Sequence, residues 1–294
     1  MIEEGWHLWG GDDLEELANS RLVRGQGRAE RRAHDLLKAA ITRGAYPARI
    51  HRRQVRVVLS PAEADDLRPE DAAEVAESPV IVLVENREAD GDFLRRVVAE
   101  LDRSLHRYWN AGGRERVVID SVGGKGQMEL QVKRACEGRP RPRLVVIVDS
   151  DRRTPSSPAS PEATRLHACC ERYGVSCWLL RKREAENYLP RALLEARSDA
   201  GREHRRRVDA WGQLTPDQKD HYDMKDGLAT EPYAEEEALF AALAPEVRAA
   251  LTQGFGPRIG KCWQEWSGVQ ARAELVERSR GDLEQGLELL RSQV

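Results

Sequence analysis

The sequence predicts an α/β protein: a parallel β-sheet covered by helices on both faces, with a mainly helical extension before it and a helical region after it. Three observations predict this. Short apolar, β-branched runs recur between residues 80 and 180, amphipathic stretches at helical spacing separate them, and isolated acids stand directly after the runs. The chain of 294 residues divides accordingly into 1–78, an extension of unspecified fold, 79–190, the α/β domain, and 191–294, the helical region.

The elements follow in order. In the extension, Arg28–Thr42 reads as a helix and Gln54–Leu59 as a short strand. After Pro79 comes Val80–Val84, five apolar residues that predict a strand buried on both faces. Phe93, Leu94, Val97, Val98, Leu101, Leu105 and Tyr108 then recur at helical spacing. Val117–Ile119 is a second strand, and Gly123-Gly124-Lys125-Gly126 turns into a helix carrying Met128, Leu130, Val132 and Ala135. Leu144–Val148 is the third strand. The Pro/Ser-rich loop Thr154–Pro161 leads to a helix over Glu162–Tyr173 and a fourth strand over Val175–Leu180. Beyond Pro190 only helices are predicted, notably Glu235–Leu251 and Ala271–Leu290.

Composition narrows the function. At 40% hydrophobic and 33% charged, with no window near ~18 uninterrupted apolar residues, the chain has no membrane span. Met1-Ile2-Glu3-Glu4-Gly5 lacks the basic start and apolar stretch of a secretion signal, so a cytoplasmic protein is expected. Five cysteines, two of them adjacent, form neither an even framework nor a CxxC pair, which argues against disulfide and zinc folds. The seven histidines show no metal-binding spacing, and the seven tryptophans read as packing anchors, some at a subunit interface of a homo-oligomer.

A formal charge of -3 argues against a nucleic-acid partner until its distribution is considered. Arg21 to Arg56 holds eleven bases against two acids, and Ser60 to Pro79 reverses this with seven acids against Arg68. Either the two blocks are solvated elements that pair with each other, or the arginines track phosphates. On the second reading Arg49, Arg52 and Arg53 bind nucleic acid, as do Arg205, Arg206 and Arg207 of a further cluster. Only seven of the 47 bases are lysines. Lys125, inside the glycine turn, is either a phosphate ligand or part of a tight turn.

In an open parallel sheet, ligands bind beyond the carboxyl ends of the strands, and there stand Glu85, Asp149 and Asp151, with Glu186 just after the fourth strand. One such acid commonly caps a helix or faces water; acids after three strands of one sheet point to a shared site. If strand geometry continues, Asp149 and Asp151 face the same side. Like charges held close need a cation, and all-oxygen ligands favour Mg²⁺ or Mn²⁺.

Glu85 after Val84, Asp90 ahead of Phe93-Leu94, and Asp149-Ser150-Asp151 after Val148 resemble the TOPRIM domain, shared by topoisomerases, bacterial primases, small maturases and OLD-family nucleases. The resemblance covers roughly Pro79 to Leu189. It implies a Rossmann-like sheet on which Glu85, Asp90, Asp149 and Asp151 bind one or two Mg²⁺ (or Mn²⁺) ions. The family pattern has Gly after the Glu and Asp four residues on; here Asn86 follows and Asp90 is five on, so Asp92 and Glu88 are alternatives. Arg183-Glu184-Ala185-Glu186-Asn187-Tyr188-Leu189 is similar to a segment of OLD-like and stand-alone defence proteins, which adds Glu186, or Glu184, to the metal set. The OLD lysine at the reacting phosphate maps onto Lys225 in His221–Leu228, unless that lysine merely lies on a turn before Gly227. Tyr188 either packs or acts as a topoisomerase-like nucleophile.

The resemblance thus implies a metal-dependent endonuclease in which Glu85, Asp149, Asp151 and Lys225 are catalytic, cleaving DNA in preference to RNA or tRNA. It further implies a toxic effector of bacterial anti-phage defence. No GxxxxGK[ST] occurs in the chain, so an ATPase or regulatory protein from the same operon is expected as a separate partner. Two other readings compete. A non-catalytic TOPRIM-like adaptor would bind nucleic acid or protein through the basic face. A haloacid-dehalogenase-type phosphatase also begins its site with DxD, but it leaves Glu85 without a role.

Overall fold

The computed structural model describes residues 56–57, 66–67, 71, 75 and 78–294, apart from 112–114, 138–141, 198–200 and 266–267. The helix expected over 28–42, the residues Arg49, Arg52 and Arg53, and Trp6, Trp9 and Trp266 lie outside the described residues. The chain divides into two compact units, 79–290 and 1–78 with 291–294. In the second, Arg56–Val57 (β1), within the expected strand, pairs in parallel with Asp66–Leu67 (β2).

The larger unit is built on four strands: β3 (Val80–Val84), β4 (Val117–Ser121), β5 (Leu144–Val148) and β6 (Ser176–Leu179). All pair in parallel, in the order β4-β3-β5-β6. The two inner strands are the two uninterrupted apolar runs: every residue of β5 is buried, and every residue of β3 except Ile81. Burial on both faces requires apolar side chains at every position, whereas the edge strands tolerate Asp120, Ser121 and Ser176. The chain leaves β3 toward β4 on one side and returns to β5 on the other, so a crevice opens beyond the ends of β3 and β5.

Four helices accompany the strands: α1 (Ala89–Leu101), α2 (Arg103–Asn110), α3 (Lys125–Cys136) and α4 (Pro161–Tyr173). Side chains alternate along a strand. Leu83, Val146 and Val148 therefore meet Met128 and Val132 of α3 and Leu166 and Cys170 of α4 in one core. Trp178 of β6 meets Phe93 of α1 at 6.0 Å between ring centroids. Phe93 also touches Tyr188 (5.6 Å) and Trp263 (5.2 Å), and so joins the sheet to the C-terminal region.

That region continues through a 3₁₀ turn (Ala185–Tyr188), α5 (Arg191–Glu195), α6 (Arg202–Gly212), α7 (Pro216–His221), α8 (Ala234–Phe240) and α9 (Pro245–Leu251). A second 3₁₀ turn (Ile259–Trp263), α10 (Gly268–Ser279) and α11 (Asp282–Arg291) complete it. Three stretches expected as single helices are each two. Phe93–Tyr108 breaks at Asp102, whose carboxylate accepts the Ser104 and Leu105 N–H groups at 3.0 Å and so starts α2. Glu235–Leu251 breaks before Pro245, which lacks the N–H a continuing helix needs and instead opens α9. Ala271–Leu290 breaks at Arg280-Gly281, both with positive φ (49° and 83°). Residues 191–290 share one compact unit with the sheet, and the indole N–H of Trp178 donates to Asp282 at 3.2 Å. Among the described residues no helix is long and apolar enough to cross a membrane.

α11 presses on the sheet through a glycine. A Cβ built on Gly286 would overlap the Trp178 indole, which is 2% exposed and has nowhere to move. Helix propensity alone favours Gly286→Ala by ~1 kcal/mol. Overpacking opposes it by ~1–3 kcal/mol. The substitution is therefore expected to lower stability, read as a fall in the urea midpoint; a rise would show that α11 does not seat on Trp178.

Candidate metal centre

Each strand end delivers its acid by a different local device. After β3, the Asn86 carboxamide accepts the Glu88 and Ala89 N–H groups at 3.0 and 3.2 Å and starts α1. The Asp90 carboxylate folds back to accept the Asn86 N–H at 2.8 Å, which holds it beside the strand end. Asp92 turns elsewhere, to Arg95 at 3.0 Å and Gln264 at 2.6 Å. Of the three alternatives for the second ligand, Asp90 is the one placed among the other acids: its charge couples to Glu186 and Glu85. Glu88 is exposed at the rim.

After β5, Asp149 accepts the Ala185 N–H at 2.9 Å. Strand geometry ends at Val148, and Asp151 takes a left-handed conformation (φ 53°). The expected alternation therefore does not continue: Asp149 joins Glu184 and Glu186, while Asp151 pairs with Lys125. After β6, the 3₁₀ turn begins with a reciprocal cap in which Asn187 accepts the Glu184 N–H at 2.9 Å. Asn187 also donates to the carbonyls of Lys219 and Tyr222, both at 2.8 Å, tying the turn to α7.

The result is an inner group in which Asp149, Glu184 and Glu186 each bring one carboxylate oxygen within 4.8 Å of the others. Lys225 donates to Glu184 at 2.7 Å and to Glu186 at 3.1 Å. Glu186 is 1% exposed, and its other oxygen, Oε1, has no hydrogen-bond partner among the described residues. A buried, unpaired carboxylate oxygen is costly unless a cation meets it. Gly260 lies against it, since a Cβ there would stand 2.7 Å from Ala89 Cβ and 3.1 Å from that oxygen.

Ionisation reflects the crowding. Burial, then the charges of Asp90 and Glu186, push the Asp149 carboxyl well above the usual range. Burial, partly opposed by the Asn86 N–H, raises Asp90 to about 6, and burial with the Glu186 charge raises Glu184 to about 7. Burial works to deprotonate Lys225, but Glu186, Glu184 and Asp149 outweigh it and hold the ammonium charged.

An outer group lies in the same cleft of ≈ 690 Å³, where Lys125 bridges Asp151 at 2.7 Å and Glu85 at 3.3 Å. Gly123 and Gly124 both take positive φ (72° and 76°) ahead of Lys125, the first residue of α3. Burial opposes its charge, and Asp151, Glu85 and Asp149 raise its pKa despite that.

Other expected residues fall elsewhere. Arg205 and Arg206 are exposed on α6, lining a shallow cleft with Arg202 and Glu246. Arg207 instead lies over the Phe255 ring at 6.0 Å. Tyr188 is fully buried, with its hydroxyl on Asp282, and therefore packs. Two residues went beyond the sequence reading. Glu184 joins Glu186 rather than standing in for it, a pairing that the Glu-x-Glu spacing hints at. Gly260 had no legible signal.

The raised carboxyl groups set a pH dependence. A folded pKa above the unfolded value gives stability that is complete below the unfolded pKa, about 4, and lost as pH rises through the folded one. For Asp90 and Glu184 the loss runs to about pH 6 and 7. Asp149→Asn keeps an acceptor for Ala185 while removing one repelling charge. In chelator at pH 8 it is expected to be more stable than wild type, with the difference shrinking at pH 5. Mn²⁺ should stabilise wild type and not the variant, as read by thermal melts. A less stable Asp149→Asn at pH 8 would mean that repulsion does not dominate the site. In comparisons with known proteins, no family model, curated protein or solved structure matches this chain.

Proposed function

We propose that the chain is a divalent-metal-dependent nuclease of the TOPRIM type, cleaving phosphodiester bonds of nucleic acid, with DNA favoured over RNA. The observation that carries the reading is the unpaired, buried Glu186 Oε1 among acids gathered beyond β3 and β5. The donor set fits a hard cation: Asp149, Glu184 and Glu186, with Asp90 alongside, offer only oxygens. Mg²⁺ or Mn²⁺ held there would polarise a phosphoryl oxygen and lower the pKa of a bound water.

The chain's own groups have separate tasks. Lys225, kept protonated by its acidic neighbours, donates to phosphoryl oxygens as negative charge develops on them. Glu85 and Asp151 hold Lys125 in the same cleft, where its ammonium pairs with the substrate backbone. Exposed Arg205 and Arg206 supply a sequence-independent phosphate-tracking surface. The wider role we propose is that of a cytoplasmic anti-phage effector whose ATPase or regulatory partner is a separate protein. It is supported by the resemblance of Arg183–Leu189 to a segment of defence proteins.

The lysine bridges favour one second reading, a non-catalytic nucleic-acid binder in which the ammonium groups permanently neutralise the acids. Incubation of plasmid, linear DNA, single strands and tRNA with Mg²⁺ or Mn²⁺ separates the two. Wild type is expected to cut, Asp149→Ala and Glu186→Gln to be inactive, and Lys225→Ala to lose about 10²–10³-fold. Undiminished cutting by Asp149→Ala would remove the site from the reaction. Binding without cutting by every form, with or without an ATPase partner, would establish the binder.

A further inference from the structure

We infer that the cleft takes a single divalent ion, in the inner group, and that the Lys125 ammonium permanently fills the second cation position between Glu85 and Asp151. The inference rests on the metal-site reading above and specifies it, since that reading left open one ion or two.

The two groups differ in how well their charge is already met. In the inner group Asp149, Glu184 and Glu186, with Asp90 alongside, face one ammonium, that of Lys225; counted as formal charges they leave an excess of three. Glu186 Oε1, in a side chain 1% exposed, also has no hydrogen-bond partner among the described residues. Both facts ask for a further cation. In the outer group Glu85 and Asp151 face one ammonium of their own, and the excess is one charge. Neither acid has an orphaned buried oxygen, and both side chains are about two-fifths exposed (38% and 42%), so their remaining lone pairs are open to solvent. A divalent ion would meet an unmet charge in the first case and is redundant in the second.

Lys125 is built into its place. Its side chain is 11% exposed and reaches both carboxylates, and the two positive-φ glycines before it set the start of α3. An ammonium is a compact point charge with three donors; one is spent on Asp151 at 2.7 Å, the Glu85 carboxylate is paired by charge at 3.3 Å, and donor capacity remains for a phosphate oxygen. Arginine is this chain's usual cation, 40 of 47 bases, yet lysine stands at both bridging positions. Elsewhere arginine does bridge carboxylates, as Arg183 does between Asp223 and Glu236, but an ammonium, as a compact point charge, is the closer stand-in for a spherical ion.

The test counts bound Mn²⁺ by calorimetry and by the electron-paramagnetic-resonance signal of free ion, on the full chain at neutral pH. Wild type is expected to bind one ion, Asp149→Asn none, and Asp151→Asn still one. Lys125→Met keeps the length of the stem and removes the charge; it is expected to bind a second, weaker ion. Circular dichroism checks that each variant folds, and Asp151→Asn carries the test if Lys125→Met does not. Two ions in wild type, or the loss of an ion in Asp151→Asn, would overturn the inference while leaving the metal site standing. One ion in folded Lys125→Met would overturn it as well. No ion in wild type, or one retained by Asp149→Asn, would instead remove the metal-site reading itself, and the inference with it.

Discussion

Mutual repulsion among carboxylates held in a partly water-excluded crevice is the constraint that organises the larger unit. Asp90, Asp149 and Glu184 all sit above the ordinary carboxylate range, first because burial disfavours their charge and then because they disfavour one another's. Left to itself such a group would move apart or take up protons. The C-terminal region counters this by bringing in Lys225. Its backbone is fixed by hydrogen bonds from Gly256 N–H to its own carbonyl (3.0 Å) and from Phe255 N–H to the Met224 carbonyl (2.7 Å). Gly227 and Gly254 allow these segments to touch, because a Cβ on either would run into backbone. The helices after residue 190 therefore complete the site that the sheet begins.

Beneath the acids lies a second polar layer, and its role is positional. Lys182 is 3% exposed and pairs with Asp220 at 2.8 Å. Burial, followed by the nearby Arg278 charge, brings its pKa down to about 7, against the pull of Asp220. Asp282, 2% exposed, accepts from the Trp178 indole, the Arg181 N–H and the Tyr188 hydroxyl. Buried ion pairs of this kind return little net stability, because desolvation consumes most of their attraction. What they do is restrict the 3₁₀ turn to one arrangement. Asn187 and Tyr188 are clasped on either side of it, so Glu184 and Glu186 keep their place relative to Asp149.

The parts of this architecture that were legible in the chain are those written in local patterns. Val80–Val84 and Leu144–Val148 are uninterrupted apolar runs because they are buried on both faces, and the acids after them mark the crevice. Helix interruptions were less legible, since periodicity bridges a break: Asp102 and Gly281 fit the spacing of their surroundings and still end it through a cap and a positive φ. The separation of Asp149 from Asp151 was not legible. Asp149 and Asp151 are two residues apart and go to different groups, because the backbone turns left-handed at Asp151, a conformation with no marker in Asp-Ser-Asp-Arg. Long-range partners such as Lys225 with Glu184 depend on contacts across 41 residues, which no local pattern encodes.

The same distribution accounts for the net charge. Glu85, Asp90, Asp149, Asp151, Glu184 and Glu186 face Lys125 and Lys225, so the cleft alone holds four negative charges in excess, one more than the chain's total of -3. The rest of the sequence, taken together, is slightly positive. Apart from the acidic stretch Ser60 to Pro79, the negative excess is concentrated at the cleft, among carboxyl groups that burial has made prone to protonation or to pairing with a cation. Whatever neutralises those few carboxylates, a proton or a cation, leaves the Lys125 and Lys225 ammonium groups as the charged donors of the cleft.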